Sequence, residues 1–503
     1  MGNSKIILVG DIMENVAYFA RKKVTMDKFT SQVKIVADGT INKVLNVDAR
    51  ATINSCESLN GYVSLSGKIK ANVIYLSQEN EISHSEMDFD FIERTQLDFN
   101  LEDIFATDKL ELKSINFSGS EVICIFEHNV LLNGNFRYEI PNFSNEDDDF
   151  VTKNTSFESL KYVSSCEDNF AVSEETEANL SNITILGTSA DVIIYEATSL
   201  VDRVAVEGKI ISNIIYSDEQ GVSNYTREFE FKQEIACENI VPNLIISPLA
   251  LVKCVSVTSS ANENKTNLSY SVDLFVKALI YEENTYSLVD DMFSLKNRLQ
   301  TTYDYIDARM FSKTKNYTDT FLMTTDVSNI ENFDDVIGAY LPKFTLEQIE
   351  EVDGKGYISG TISADALYNT NEQISKLEVK LPVKIEIIKE QNELVGDINV
   401  IPEITSYKVK AGKNLEVVCI LNYSITFECN ICSEFVKSYE IKGKKNEAQG
   451  GIKIYVTSQG ETLFDVAKCL NVRPETITSQ NEVLDTFEQG EKIYIYSPIN
   501  LYD

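Results

Sequence analysis

One stretch of this chain is written three times. Tyr62 to Tyr75 aligns without a gap to Arg203 to Tyr216. Val63, Gly67, Lys68, Ile69, Asn72, Ile74 and Tyr75 recur as Val204, Gly208, Lys209, Ile210, Asn213, Ile215 and Tyr216, at an offset of 141 residues. A third copy, Tyr357 to Tyr368, keeps Gly360, Ile362, Ala364 and Tyr368, at an offset of 293. Repeats of about 20–50 residues make solenoids, whereas these spacings are those of whole domains. A chain of 503 residues is therefore expected to hold three tandem units.

Each copy alternates. Val63, Leu65, Gly67, Ile69, Ala71, Val73 and Tyr75 share one face, and Tyr62, Ser64, Ser66, Lys68, Lys70 and Asn72 share the other. This period of two belongs to a half-buried strand. The glycine at its centre predicts a bend, a bulge or a close backbone approach. A turn-like stretch follows each copy: Gln78 to Glu81, Asp218 to Gly221, and Asn369 to Glu372. A second alternating run comes next: Met87 to Phe91, Arg227 to Phe231, and Leu377 to Val383. Further runs at Leu268 to Ile280 and Leu415 to Phe427 complete the units. The reading is a mainly β chain of three tandem antiparallel sandwich-like domains. Tyr75, Tyr216 and Tyr368 lie on the apolar face and are expected in the cores.

Polar stretches set the expected boundaries. Residues 1–27 precede the repeats, and the units span 28–150, 151–312 and 317–441. Asn145 to Asp149 reads as a solvated loop, Lys313 to Asn316 divides the second unit from the third, and Lys442 to Gly451 reads as a flexible linker. The remaining domain, 452–498, breaks the β pattern. Ile454 to Val456 is a short strand, and Gly460 to Thr462 turns into a helix. Thr462 is an N-cap, answered by Asp465 as in a capping box. Leu463, Val466, Ala467 and Leu470 form one apolar face. Pro474 opens a second helix running to about Gln480, and Lys492 to Tyr496 is a final strand, so the order is βααβ.

Composition excludes several functions. Acidic residues number 78 against 45 basic ones, a formal net charge of −33. Such a chain does not track a nucleic-acid backbone or a polybasic membrane site. Only two histidines, His84 and His128, are present, and neither has a sequence neighbour that would make it catalytic or a metal ligand. No catalytic residue, metal ligand or cofactor is assigned, and the chain is not expected to be an enzyme. Cys429 and Cys432 lack a second pair to complete four ligands and read as buried small residues. The apolar run Ile6 to Val9 is too short for a secretory signal, which needs about 7–15 residues. A cytoplasmic protein with reduced thiols is expected.

The last domain resembles a LysM module. The resemblance rests on Tyr455, Val456, Gly460 to Leu463, Val466, Ala467, Val472, Ile477, Asn481, Val483, Gly490, Ile493 and Ile495; Glu461 stands where the family typically has Asp. It implies a groove formed by Gly460, Glu461, Thr462, Leu463, Asn481, Glu482 and Val483, which in the family receives glycans containing N-acetylglucosamine. The three repeats resemble SPOCS domains of spore-coat and related proteins. Tandem SPOCS-like units followed by one LysM module resemble spore coat morphogenetic proteins of the SipL type. That architecture implies a non-enzymatic scaffold in the mother-cell cytoplasm, recruited to the forespore surface. Its LysM module would engage a coat basement-layer ATPase of the SpoIVA type. The alternative is a protein that binds cell-wall or cortex peptidoglycan through the same groove.

Overall fold

The computed structural model describes residues 13–497, apart from 60, 144–148, 220, 263–264, 331–332, 353–354, 371–372, 391–392, 411–413, 446–450 and 483–485. Strand β1 (Met13–Thr25) precedes the repeats. The first unit runs β2 (Phe29–Val36), a meander of β3 (Ile41–Leu59), β4 (Tyr62–Ser77) and β5 (Ile82–Gln96), then the hairpin β6 (Glu102–Ser118) and β7 (Glu121–Asn142). The second repeats that order as β8 (Phe150–Ala178), the meander β9 (Thr184–Leu200), β10 (Arg203–Asp218) and β11 (Gly221–Ala236), and the hairpin β12 (Ile245–Asn262) and β13 (Lys265–Ser294). The third is β14 (Asn297–Asp326), the meander β15 (Phe333–Val352), β16 (Lys355–Thr370) and β17 (Gln373–Ile387), and the hairpin β18 (Glu393–Lys410) and β19 (Asn414–Lys444). A βααβ module closes the chain: β20 (Gly451–Val456), α1 (Leu463–Leu470), α2 (Pro474–Gln480) and β21 (Lys492–Ser497).

All three units share one topology. The meander forms one sheet, and the opening strand pairs with the last strand, which pairs with its hairpin partner, in the second. The two sheets face each other over an apolar core, as the alternation requires. In the first unit Ile69, Ala71, Val73 and Tyr75 meet Val33, Ile35, Val122, Cys124 and Phe126. In the second, Val206, Ile210, Ile214 and Tyr216 meet the even-numbered residues Leu268 to Ile280. In the third, Ile358, Ile362 and Ala364 meet the odd-numbered residues Leu415 to Phe427. Each buried Val, Leu or Ile side chain contributes about 1.5–3 kcal/mol, so these faces fix the register.

The recurring glycines mark a close approach. A Cβ on Gly67 would lie 2.5 Å from the Phe91 ring and 2.7 Å from the Thr52 carbonyl. Gly208 meets Phe231 and the Ile193 carbonyl, and Gly360 meets Phe344 and the Thr345 carbonyl, in the same way. A register shift in the neighbouring first meander strand accompanies each glycine, at Ile53/Ser55, beside Glu207/Gly208 and at Leu346/Gln348. An aromatic ring thus fills the space where no side chain stands, and a bulge bends the sheet beneath it.

Several polar stretches behave differently from their composition. Lys313 to Asn316 lie within β14, paired with 424–427 of β19, and carry no break in the chain. The sheet there is three-stranded, since 395–399 of β18 pair with the other side of the same β19 stretch, and its outward face accepts such residues as readily as a loop does. Residues 145–148 lie outside the described residues, and Asp149 is buried, not solvated. Of the expected linker, Lys442 to Lys444 end β19 and Gly451 begins β20, while 446–450 lie outside the described residues. Of residues 1–27, which matched no expectation, 13–25 form β1. This strand pairs with β7 from Met13 to Thr25 and touches β14 at the register position of Arg21. It joins the sheets of the first and third units into one.

Candidate docking surface

The terminal module is built as its sequence directs. Thr462 caps α1: its hydroxyl oxygen accepts from the Asp465 N–H, and the Asp465 carboxylate accepts from the Thr462 N–H at 2.9 Å. Burial raises the Asp465 pKa, but the hydrogen bonds from the Thr462 hydroxyl and N–H, together with the charges of Lys153 and Lys468, hold the carboxyl below its usual range. Val466, Ala467 and Leu470 are buried and Leu463 is half-buried, as the apolar face predicts. Phe464 is buried as well, off that face.

Its partner explains why. Phe464 packs edge-on against Phe293, ring centroids 5.4 Å apart, and Val151 joins the same cluster. These two residues belong to β13 and β8, so the module shares its core with the end of the second unit's ribbon. A polar clamp surrounds the joint. Asp149 accepts from the Ser294 hydroxyl at 2.6 Å, the Lys296 N–H at 2.7 Å and the Asn297 amide at 2.9 Å. Asn471, the left-handed C-cap of α1, donates to the Leu295 carbonyl at 2.8 Å. Lys445 donates to the Ser294 carbonyl and the Asn471 side-chain oxygen, and Lys468 pairs with Asp291. Burial lowers the Lys445 pKa.

The groove residues fall into two groups. Gly460, at φ +81°, forms the turn that only glycine takes without strain. Its N–H donates to Phe487, and the Glu461 carbonyl accepts from the Phe487 N–H, so Gly460 to Thr462 pair with the chain at 486–487. Glu461 accepts from the Tyr455 hydroxyl at 2.8 Å and the Ser458 N–H at 2.7 Å, which holds the Tyr455 phenol above its usual range. Asn481 sits elsewhere, along the edge of β21. Its amide donates to Tyr494 and Ile477 carbonyls and accepts from the Tyr494 N–H at 2.8 Å. Glu482 is exposed, and Val483 lies outside the described residues. The polar side chains of Glu461, Thr462 and Asn481 are thus engaged in holding the module's own turns and edge.

The exposed face of the module is its two-stranded sheet. Ile452, Ile454 and Val456 alternate outward on β20, with Tyr494 and Tyr496 beside them on β21, all between 48 and 70 % exposed. These side chains form a contiguous apolar surface on a chain of net charge −33. Sequence alternation in β20 signalled it, but with only six residues the inward and outward faces read alike.

One further constellation was not legible. His128 donates through Nδ1 to Asp108 at 2.6 Å, and its Nε2 meets the Ser31 hydroxyl at 2.8 Å. The acidic partner assigns the proton to Nδ1, since a carboxylate only accepts. Both the His128 and Asp108 side chains are fully buried, with the imidazole stacked on Phe29 at 4.1 Å and against Phe91. Three neighbouring strands bring these residues together from positions 31, 108 and 128, and the enclosed ring offers a substrate no approach. Cys429 is half-buried and Cys432 exposed on opposite faces of β19, so Cys432 departs from the expected burial.

Two segments, residues 40–118 and 183–258, match the family described as SipL, SPOCS domain. They span the meander and the following strand in the first and second units, the same four strands twice. No curated protein and no solved structure matches the chain.

Proposed function

We propose that this chain is a non-enzymatic scaffold of the bacterial spore envelope. In this reading it is made in the mother-cell cytoplasm and recruited to the forespore surface. Its terminal module, LysM-like in sequence and βααβ in order, docks onto a coat basement-layer ATPase of the SpoIVA type. The SPOCS match on two of three units with one topology supports the envelope assignment. The observation that carries docking is the module's seat: α1 is turned into the body, and the sheet face is turned out. The engaged side chains of Glu461, Thr462 and Asn481 favour a protein partner over a glycan held by those groups.

The test uses the full chain, because Val151 and Phe293 complete the module's core. It is incubated in parallel with insoluble peptidoglycan and with a purified coat ATPase of this type. Retention by the ATPase without sedimentation with the wall is expected. Sedimentation with peptidoglycan, or saturable binding of N-acetylglucosamine oligomers, together with no ATPase retention, would make the chain a wall-binding protein.

A further inference from the structure

The module's small sheet has two edges, and they are treated differently. Along β21, two side-chain amides imitate a missing strand. Asn481 exchanges a pair of hydrogen bonds with the backbone of Tyr494, and Gln480 does the same with Tyr496, accepting from its N–H at 2.6 Å and donating to its carbonyl at 3.2 Å. This edge is covered. Among the described residues β20 pairs only with β21, so its other edge has no strand beside it.

The register says which groups face that open edge. Because the backbones of Tyr494 and Tyr496 point away from β20, Ile493 and Ile495 point towards it. Their partners Tyr455 and Lys453 therefore form the ladder, as does Thr457, whose N–H donates to Glu491 at 3.0 Å. The backbone N–H and C=O groups of Ile452, Ile454 and Val456 consequently face outward. These are the same three residues whose apolar side chains stand exposed on the sheet face. An uncovered edge strand with outward apolar side chains is a template for strand pairing, which native proteins block where they do not use it. Here one edge is blocked and the other is not.

We infer that the open edge of β20 takes up an extended segment of a partner chain by strand addition. Main-chain hydrogen bonds to Ile452, Ile454 and Val456 supply the affinity, and alternate apolar side chains of the incoming strand pack beside the exposed face. The occupant's chemistry follows from charge at long range: the chain carries −33, which opposes a second copy and draws in a segment rich in lysine or arginine, while the one cation of β20 itself, Lys453, donates to the Leu470 carbonyl. This inference rests on the docking role proposed above and names the edge through which it is carried out.

The probe is a blocked, fluorescent nonapeptide alternating valine with lysine, titrated into the full chain at physiological salt. Saturable binding is expected, with the Ile452, Ile454 and Val456 amides becoming protected from hydrogen exchange. Ile454→Pro removes an outward donor without touching the β20–β21 ladder and is expected to weaken binding at least roughly tenfold. Ile454→Thr keeps the donor and is expected to change it less than about threefold. Equal loss in both variants, unprotected amides, or a peptide-induced dimer would overturn strand addition. The tagged chain is then followed in sporulating cells. If removal of residues 451–503 leaves coat recruitment intact, the docking role itself fails. If that removal abolishes recruitment while Ile454→Pro behaves as wild type, only the edge assignment fails.

Discussion

At the scale of single residues, Asp149 shows best what a local reading misses. In the sequence it ends an acidic run, and such runs are usually solvated. In the fold it is buried and collects three donors from residues 294–297. The partners are nearly 150 positions away, so no window of sequence contains the reason. The Ser31–His128–Asp108 chain of hydrogen bonds, with separations of 97 and 20 positions, is hidden from a short window in the same way. Gly67, Gly208 and Gly360 were legible because the same event happens three times. Asp149→Ala leaves the Ser294 hydroxyl, the Lys296 N–H and the Asn297 side-chain amide without their acceptor, at a cost of about 2–4 kcal/mol. Thermal unfolding should register this loss, and limited proteolysis should cut between β19 and β20 sooner. An unchanged melting profile and cleavage pattern would mean that Asp149 does not hold the joint.

At the scale of elements, alternation found the sandwich strands and helical spacing found α1. Both work because one face is buried and the other is wet. The strands run further than their alternation suggests. β13 spans 30 residues, yet only its first half faces a meander, and the rest is ribbon. Phe464 escaped the helical reading because its partner lies in another unit. The cap of α1 makes a pH prediction. Asp465 is held below its ordinary pKa in the folded chain, so its contribution is present above the unfolded value of about 4 and is lost as pH falls through the folded one. Thr462→Ala should destabilise the module by about 1 kcal/mol at neutral pH and flatten its loss of stability below about pH 4. Hydrogen exchange of α1 amides across pH 2–6 reads both effects; a cap-free variant with the wild-type acid profile would refute the assignment.

At the scale of the whole molecule, three copies of one sandwich meet twice. The meander ends converge where Ile74, Ile215 and Leu367, equivalent positions of the repeat, join Leu45, Leu186, Val222 and Tyr340 in one buried cluster. The ribbons converge around Tyr18 of β1, fully buried beside Ile140, Tyr286, Leu288 and Phe435, where burial pushes its phenol up to about 12. Neither junction is written in any single repeat, because each uses the outward faces that alternation marks as polar or indifferent. Together they fix the units relative to one another and place the terminal module at the end of one ribbon, its apolar sheet outward. If the chain is a component of the spore envelope, as proposed, fractionation of cells at successive stages finds the full chain absent from vegetative cells, accumulating during sporulation and recovered with the coat layer. Abundant protein in vegetative wall fractions, with none in the coat, would contradict it.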